Sequence, residues 1–172
     1  MVTGYAVSLP NMLFVEGQRG QTTTAIAQAF APAAGSSQLV ATFDVRVQYC
    51  AFPETYAPIV TIRLGNDDDP TVFLTPRGDG GSGGLTLTGG LSTPNGISTY
   101  LDTGLPIALG VWSSVTFSVD VSAGTGTIGA GDASVTADGF KGPADDVTLE
   151  LGTSWSQACD IAFDNVTFAW AP

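Results

Sequence analysis

Apolar and polar residues alternate along most of this chain with a period of two. The alternation is clearest in four stretches, Phe43 to Tyr49, Val60 to Leu64, Val115 to Val121 and Val147 to Leu151. Successive side chains of a β-strand lie on opposite faces of its sheet, so this period predicts strands with one buried and one polar side. Antiparallel sheets that pack face to face produce this pattern.

Clusters of Gly, Pro, Asn and Asp separate the alternating stretches and favour tight turns between them. One alanine-rich stretch, Thr24 to Ala34, has a composition that suits a helix. Threonines open it, and Pro32 and Gly35 close it, so we interpret it as a strand that runs into a loop. Many short strands without a repeat or linker predict a single all-β domain over residues 1–172, either a sandwich or a barrel.

The last alternating stretch contains a change of phase. Apolar residues occupy odd positions up to Phe163 and even positions from Val166 onwards, with the slip at Asp164 and Asn165. A slip of one residue would move the remaining apolar side chains to the wrong face unless a β-bulge absorbs it. We therefore predict a bulge at Asp164 and Asn165, which would direct the Asp164 carboxylate out of the regular pattern.

Charge and composition exclude several classes of function. Sixteen acidic residues oppose five basic ones, for a net charge of −11, and such a surface repels phosphate backbones and anionic lipids. Nucleic acid is therefore not an expected partner. The chain has no histidine, which removes the commonest general base and the commonest zinc ligand. No apolar run approaches the roughly 18 residues of a membrane span.

The two cysteines fall at the ends of predicted strands. Cys50 ends the strand that begins near Leu39, and Cys159 comes just before the strand that starts at Asp160. If these strands pair antiparallel, the two sulfur atoms are neighbours. We predict a structural disulfide, with free buried thiols as the alternative. A disulfide persists in an oxidising compartment, so the expected localisation is secreted or cell-surface.

Three stretches together resemble the concanavalin A-like lectin/glucanase superfamily, especially its laminin G-like members. They are the Gly-x-Trp run from Gly110 to Asp120, Leu149 to Gly152, and the Asp-Asn-Val strand from Ile161 to Phe168. Galactose-binding-like carbohydrate modules end in a similar strand and are the alternative. Both resemblances imply an all-β, two-sheet antiparallel jelly-roll sandwich.

The resemblance implies recognition of glycans or proteins on the concave face or the rim loops. The glucanase branch uses a Glu-x-Asp-x-Glu strand, whereas Glu16, Glu54 and Glu150 are isolated here, and lyase relatives often use histidine. We therefore expect a non-catalytic extracellular module with a glycan, polysaccharide or cell-surface protein as its partner. One alternative is a structural or adhesive domain of a larger assembly. The other is a hydrolase or lyase, which would need a carboxylate pair about 5 to 10 Å apart.

Calcium is the candidate cofactor, because some members of the superfamily bind it and carboxylates are its usual ligands. Asp164 and Asp160 flank the predicted bulge, and Asp67 and Asp69 lie in an acidic turn. The alternatives are that Asp164 stabilises the bulge and that the acidic turn is a solvated hairpin.

Aromatic residues in loops are candidates for stacking on a sugar ring. Trp155 lies in a polar loop near Cys159, where the alternative is packing over the disulfide. Tyr56 and Tyr100 are further candidates. Trp112 heads a strand and Trp170 continues an apolar phase, so both are predicted to lie in the core.

Overall fold

The structure is a computed structural model that describes residues 13–16, 23–30, 35–51, 60–64, 72–78, 85–92, 98–120, 122–138, 147–153 and 158–171. All secondary structure in these ranges is β-strand. The strands are β1 (Leu13–Glu16), β2 (Thr23–Phe30), β3 (Gln38–Ala51), β4 (Val60–Leu64), β5 (Val72–Gly78), β6 (Leu85–Ser92), β7 (Ser98–Ile107), β8 (Ser113–Asp120), β9 (Thr125–Ala130), β10 (Ala133–Asp138), β11 (Val147–Thr153) and β12 (Ala158–Ala171).

The strands form two six-stranded antiparallel sheets. Sheet A has the order β1-β12-β3-β8-β9-β10, and sheet B has the order β2-β11-β4-β5-β6-β7. The four alternating stretches of the sequence form β3, β4, β8 and β11, and the alanine-rich stretch forms β2. The predicted all-β jelly-roll sandwich is confirmed.

The core lies against the inner face of sheet A. Its long central strand β3 buries every second residue from Leu39 to Val47, each 3% exposed or less. The neighbouring strands contribute aromatic rings, and Phe43 meets Phe163 edge to face with ring centroids 6.2 Å apart. Burial of such rings supplies much of the hydrophobic stabilisation of a sandwich. Trp170 is 5% exposed, so its predicted core position is confirmed.

The predicted bulge in β12 is confirmed. Asp164 pairs with Asp44 and Thr167 pairs with Thr42, so two residues of β12 lie opposite Phe43 alone. One of them, Asn165, has a φ of 50°, a left-handed conformation that asparagine tolerates better than most residues. The extra residue lets Phe163 and Val166 both face the core, at 0% and 3% exposure.

The register also places Cys159 directly opposite Cys50 at the end of the β3–β12 pair. This is the backbone arrangement that the predicted disulfide requires, and the bond itself stays a prediction. Within the described residues, no helix has the length and apolar character to cross a membrane.

Candidate functional site

The outer face of sheet A is a regular array of small polar side chains. One row across the sheet consists of Thr167, Thr42, Thr116, Gly129 and Ser134, in strand order from β12 to β10. The Thr42 and Thr167 hydroxyls are hydrogen-bonded to each other. In the next row, the Thr127 and Thr136 hydroxyls are 2.8 Å apart. Directly opposite residues share a face, so hydroxyl groups cover this side of the sheet.

The bulge shapes one end of this array. The Asp44 carboxylate accepts a hydrogen bond from the Ser114 hydroxyl and another, 2.7 Å long, from the Asn165 side-chain amide. The backbone N–H of Asn165 donates to the Asp164 carboxylate at 2.8 Å. The left-handed conformation of Asn165 therefore lets one residue contact two carboxylates on adjacent strands. The Asp164 carboxylate thus accepts a hydrogen bond within the bulge, and both roles expected for it from the sequence stay predictions.

Trp112 is not in the core, and that prediction is wrong. The residue is 38% exposed, and the Arg46 guanidinium lies over its ring, 4.9 Å from the centroid. Trp112 precedes β8, whose core residues are Val115, Phe117 and Val119. Val111, on the odd phase, is 55% exposed, so the alternation of β8 does not extend to the residues before it. The period of two therefore could not have located this exposed aromatic.

A shallow groove of about 320 Å³ lies over the other end of the array, across β8, β9 and β10. Its lining residues are small or hydroxylated, apart from one carboxylate, and they are Ser114, Thr116, Ser118, Thr127, Gly129, Gly131, Asp132, Ala133 and Ser134. Gly129 lies in the middle strand, opposite Thr116 and Ser134. The groove forms where this row lacks a side chain.

On sheet B, the backbone register brings charged and aromatic residues onto one face. Tyr100 of β7 lies opposite Gly90 of β6, which lies opposite Phe73 of β5. The same row continues through Thr61 to Glu150. Arg63, Arg77 and Asp102 occupy alternate positions of the same strands and so belong to the same face.

Two described residues show which face this is. Ile107 of β7 is 1% exposed and pairs with Leu85, so their row faces the core. Pro106 is exposed and pairs with Thr86, which pairs with Arg77. The row of Arg77 therefore lies on the outer face of sheet B. The sequence reasoning missed Arg63 and Arg77, although each falls on the polar phase of its strand.

The sequence-predicted site residues do not gather in one place. Tyr100 lies on β7 at the edge of sheet B, whereas Asp160 and Asp164 lie on β12 of sheet A. Asp160 pairs with Glu16 on one side and Tyr49 on the other. The remaining candidates lie outside the described residues, and they are Trp155, Tyr56, Asp67 and Asp69.

In the described part of the chain, no three acidic, cysteine or histidine side chains come close enough together to hold a metal ion. Asp44, the carboxylate opposite Asp164, already accepts hydrogen bonds on both of its oxygens. Calcium binding by Asp160 and Asp164, or by the acidic turn at Asp67 and Asp69, stays a prediction.

No protein-family model matches the sequence, and no curated protein sequence does. Solved structures do match the fold. An alginate lyase from Pseudomonas aeruginosa has a TM-score of 0.64 and 11% identity, covering 83% of this chain and 68% of that one. An alginate lyase from Klebsiella pneumoniae has a TM-score of 0.63 and 12% identity, and the match covers 80% of this chain and 61% of that one. A SAP-like pentraxin from Limulus polyphemus has a TM-score of 0.60 and 15% identity, and the match covers 93% of this chain and 76% of that one.

These neighbours correct the prediction of a non-catalytic module, whether for recognition or for a structural role. Several of them are alginate lyases, so this fold carries catalysis in proteins of similar architecture. The prediction rested on missing histidine and on the missing Glu-x-Asp-x-Glu strand. Neither is a physical requirement, because tyrosine, lysine and carboxylates also act as general acids and bases. The resemblance to the concanavalin A-like superfamily is confirmed at the level of the fold.

Proposed function

We propose that this protein is a polysaccharide lyase that cleaves a glycan containing uronic acid. The observation that carries the proposal is the outer face of sheet B, where the register groups Arg63, Arg77, Tyr100 and Glu150. The fold supports it, since alginate lyases share this architecture. An extended sheet face suits a polymer, because a glycan chain can lie across several strands.

Charge supports an acidic substrate at this face. The chain has five basic residues, and two of its arginines share the outer face of sheet B within an acidic protein. An arginine presents a planar fork of donors that matches a carboxylate. Glu150 and Asp102 share this face, so its two arginines and two carboxylates balance. The affinity for uronate groups would come from the two arginine forks and not from a net positive charge.

The proposed reaction is β-elimination. A base removes the proton at C5 of a uronate residue, next to its carboxylate, and the electron pair forms the C4–C5 double bond as the C4–O4 bond breaks. The leaving oxygen takes up a proton. Arginine stabilises the charge that builds on the carboxylate during proton removal. Tyr100 would act as a phenolate that takes the C5 proton, and the phenol formed in this step donates that proton to the leaving oxygen, a role open to tyrosine in a chain without histidine.

The test is incubation of the purified protein with alginate, polygalacturonate and a glucuronan, followed by ultraviolet absorbance and by reducing-end formation. Elimination raises both signals, because each cut creates a conjugated double bond. New reducing ends without absorbance would show hydrolysis instead of elimination. Neither signal on any of the three polymers, with the protein shown to be folded by circular dichroism, would overturn the proposal.

The variant Tyr100→Phe removes only the phenolic hydroxyl. We expect kcat to fall by about 10²- to 10⁴-fold if this group transfers the proton. The matched control is Tyr49→Phe on sheet A, which should retain full activity. A Tyr100→Phe variant as active as the parent protein would exclude this residue as the base while leaving elimination itself open to the substrate test.

We also propose that the protein acts outside the cell, where polymeric substrates of this kind are accessible. The support is the register of Cys50 opposite Cys159, since a disulfide there would suit an oxidising compartment. Titration of thiols in the native protein, with and without reductant, tests this part. Two reactive thiols without reductant would contradict it.

A further inference from the structure

We infer that the outer face of sheet A is a second glycan-binding surface, separate from the proposed lyase face, and that it binds a neutral oligosaccharide. The surface consists of the groove over Gly129, the exposed ring of Trp112, and the Asp44–Asn165 pair next to the bulge. It is built from side chains on five strands of one sheet and does not depend on the chemistry of sheet B.

The groove exists because Gly129 has no side chain. Glycine in the interior of a strand destabilises it relative to alanine, and it often marks a place where a ligand or another chain approaches. A glycine in a strand is commonly explained by a positive φ or by a lack of space for a Cβ atom, and neither explanation applies to Gly129. Gly129 is not among the glycines with positive φ, and a Cβ atom built on it would meet its nearest neighbour, the carbonyl oxygen of Ala133, at an ordinary 3.5 Å. The backbone around Gly129 therefore has room for a Cβ atom, although the residue there is glycine.

The lining of the groove fits a hydroxylated, uncharged ligand. Hydroxyl groups of serine and threonine both donate and accept hydrogen bonds, as the hydroxyls of a sugar do. The one ionisable group in the lining is the Asp132 carboxylate, which accepts hydrogen bonds and repels anions. With no basic residue in the lining, a uronate would gain nothing here, so the groove selects against the substrate proposed for sheet B.

Trp112 provides an apolar platform at the other end of the surface. The ring is 38% exposed, and Arg46 holds it through a cation–π contact at 4.9 Å. Phe14, which is 45% exposed, belongs to the register row of Arg46, with Ala162 between them. Sugar rings present C–H groups that pack on such faces, while their hydroxyls reach polar neighbours.

Polar groups connect the platform to the groove. Ser114 and Thr116 of β8 follow Trp112 by two and four residues, so the Cα atoms of Trp112 and Thr116 are at most about 13 Å apart. Ser114 lines the groove and also donates to Asp44, whose other oxygen accepts from Asn165. The distance and the continuous polar row suit an oligosaccharide of several units.

The test is isothermal titration of the full chain with neutral hexasaccharides: cello-, manno-, xylo- and laminarihexaose. Two variants probe the two ends of the surface. Gly129→Val fills the groove with a side chain that suits a strand, and Trp112→Ala removes the platform. Matched controls are Thr125→Val, on the same face of β9 but outside the groove, and Leu109→Ala, an exposed apolar residue of the turn before Trp112.

We expect at least one of these sugars to bind, and each site variant to weaken it about tenfold or more, with both controls within twofold of the parent protein. Unfolding midpoints of all variants show whether the fold is kept. Absence of binding by all four sugars overturns the inference, and so does binding that survives both site variants. Elimination activity on uronans is measured separately, so the lyase proposal can fail while this surface stands, and the reverse.

Discussion

The two sheets share one core and carry different chemistry on their outer faces. The outer face of sheet A is covered by hydroxyl groups and carboxylates, and its one arginine, Arg46, lies on the Trp112 ring. The outer face of sheet B carries two arginines, a tyrosine, a glutamate and an aspartate. Because the faces of a strand alternate, the outer residues can change without disturbing the core. A sandwich can therefore hold two independent binding surfaces back to back.

The predicted disulfide would lie in only one of the two sheets. Cys50 and Cys159 join β3 to β12 in sheet A, and no cysteine lies in sheet B. A crosslink that closes a loop of this length is worth about 4 to 5 kcal/mol by the chain-entropy estimate. We expect the double variant Cys50→Ser, Cys159→Ser to lose stability of this order in urea unfolding.

Reduction of the parent protein by dithiothreitol is the matched comparison, and it should lower the free energy of unfolding by a similar amount. If reductant leaves the unfolding midpoint unchanged, the two cysteines are free thiols and neither sheet contains a crosslink.

The charge difference between the two outer faces predicts the next largest effect. Arg77→Ala should lower kcat/KM on the best uronan by about 100-fold, or ~2.7 kcal/mol, because the variant loses a cation that would hold a carboxylate of the polymer on this face. Arg77→Lys keeps the charge but loses the fork of donors, so it should recover part of the activity.

Salt dependence provides the check on this explanation. Activity of the parent protein should fall as ionic strength rises, and Arg77→Ala should fall less. An Arg77→Ala variant with full activity and the same salt dependence as the parent protein would show that the arginines of sheet B do not contact the substrate.

The bulge of sheet A has no described equivalent with a left-handed residue in sheet B, and it can be broken selectively. Asn165→Val places a β-branched residue at a φ of 50° and removes the hydrogen bond to Asp44. We expect a loss of about 2 kcal/mol, combining the left-handed strain with the lost bond. Asn165→Gly removes the bond but accepts the conformation, so urea unfolding should show a smaller loss. Equal losses in the two variants would mean that the conformation carries no cost.

Several strands and the bulge could be predicted from the sequence, because burial of one face of a strand requires apolar residues at alternate positions. The period of two identified β3, β4, β8 and β11, and the phase change at Asp164 located the bulge. Both follow from the need to keep apolar residues on the core face. The order of the strands in each sheet was not predictable in this way, because pairing between strands distant in sequence leaves no local periodicity.

The functional surfaces were harder to predict, because they depend on which strands are neighbours. Arg63 and Tyr100 are 37 positions apart in the sequence, and only the register of three intervening pairings puts them on one face. Glycine favours turns, and only the pairing of Gly129 with Thr116 shows that this residue lies inside a sheet. The core position predicted for Trp112 is wrong for another reason, since this residue lies before β8, where neither phase of the alternation is buried.

Asp120 gives the smallest expected effect and concerns the turn between β8 and β9 of sheet A. Its carboxylate accepts from the Ser122 hydroxyl at 2.7 Å and from the backbone N–H groups of Ser122 and Ala123 at 2.9 Å. The Ser122 hydroxyl, followed by the Ala123 N–H, holds the pKa of Asp120 below its ordinary value of 3.8. These hydrogen bonds favour the ionised form of Asp120 in the folded turn, and the unfolded chain lacks them.

A carboxyl group with a lowered pKa stabilises the folded state above its unfolded pKa, and this contribution is lost as the pH falls through the folded pKa. Asp120→Asn should therefore be slightly less stable than the parent protein near neutral pH, and the difference should shrink steadily as the pH falls below about 4. Urea unfolding of both proteins at several pH values measures it. Ser122→Ala removes the strongest donor to the carboxylate and should reduce the same pH dependence, whereas Thr136→Val on β10 should not. A difference between Asp120→Asn and the parent protein that stays constant across this pH range would mean that the turn depends on the shape of the side chain and not on its charge.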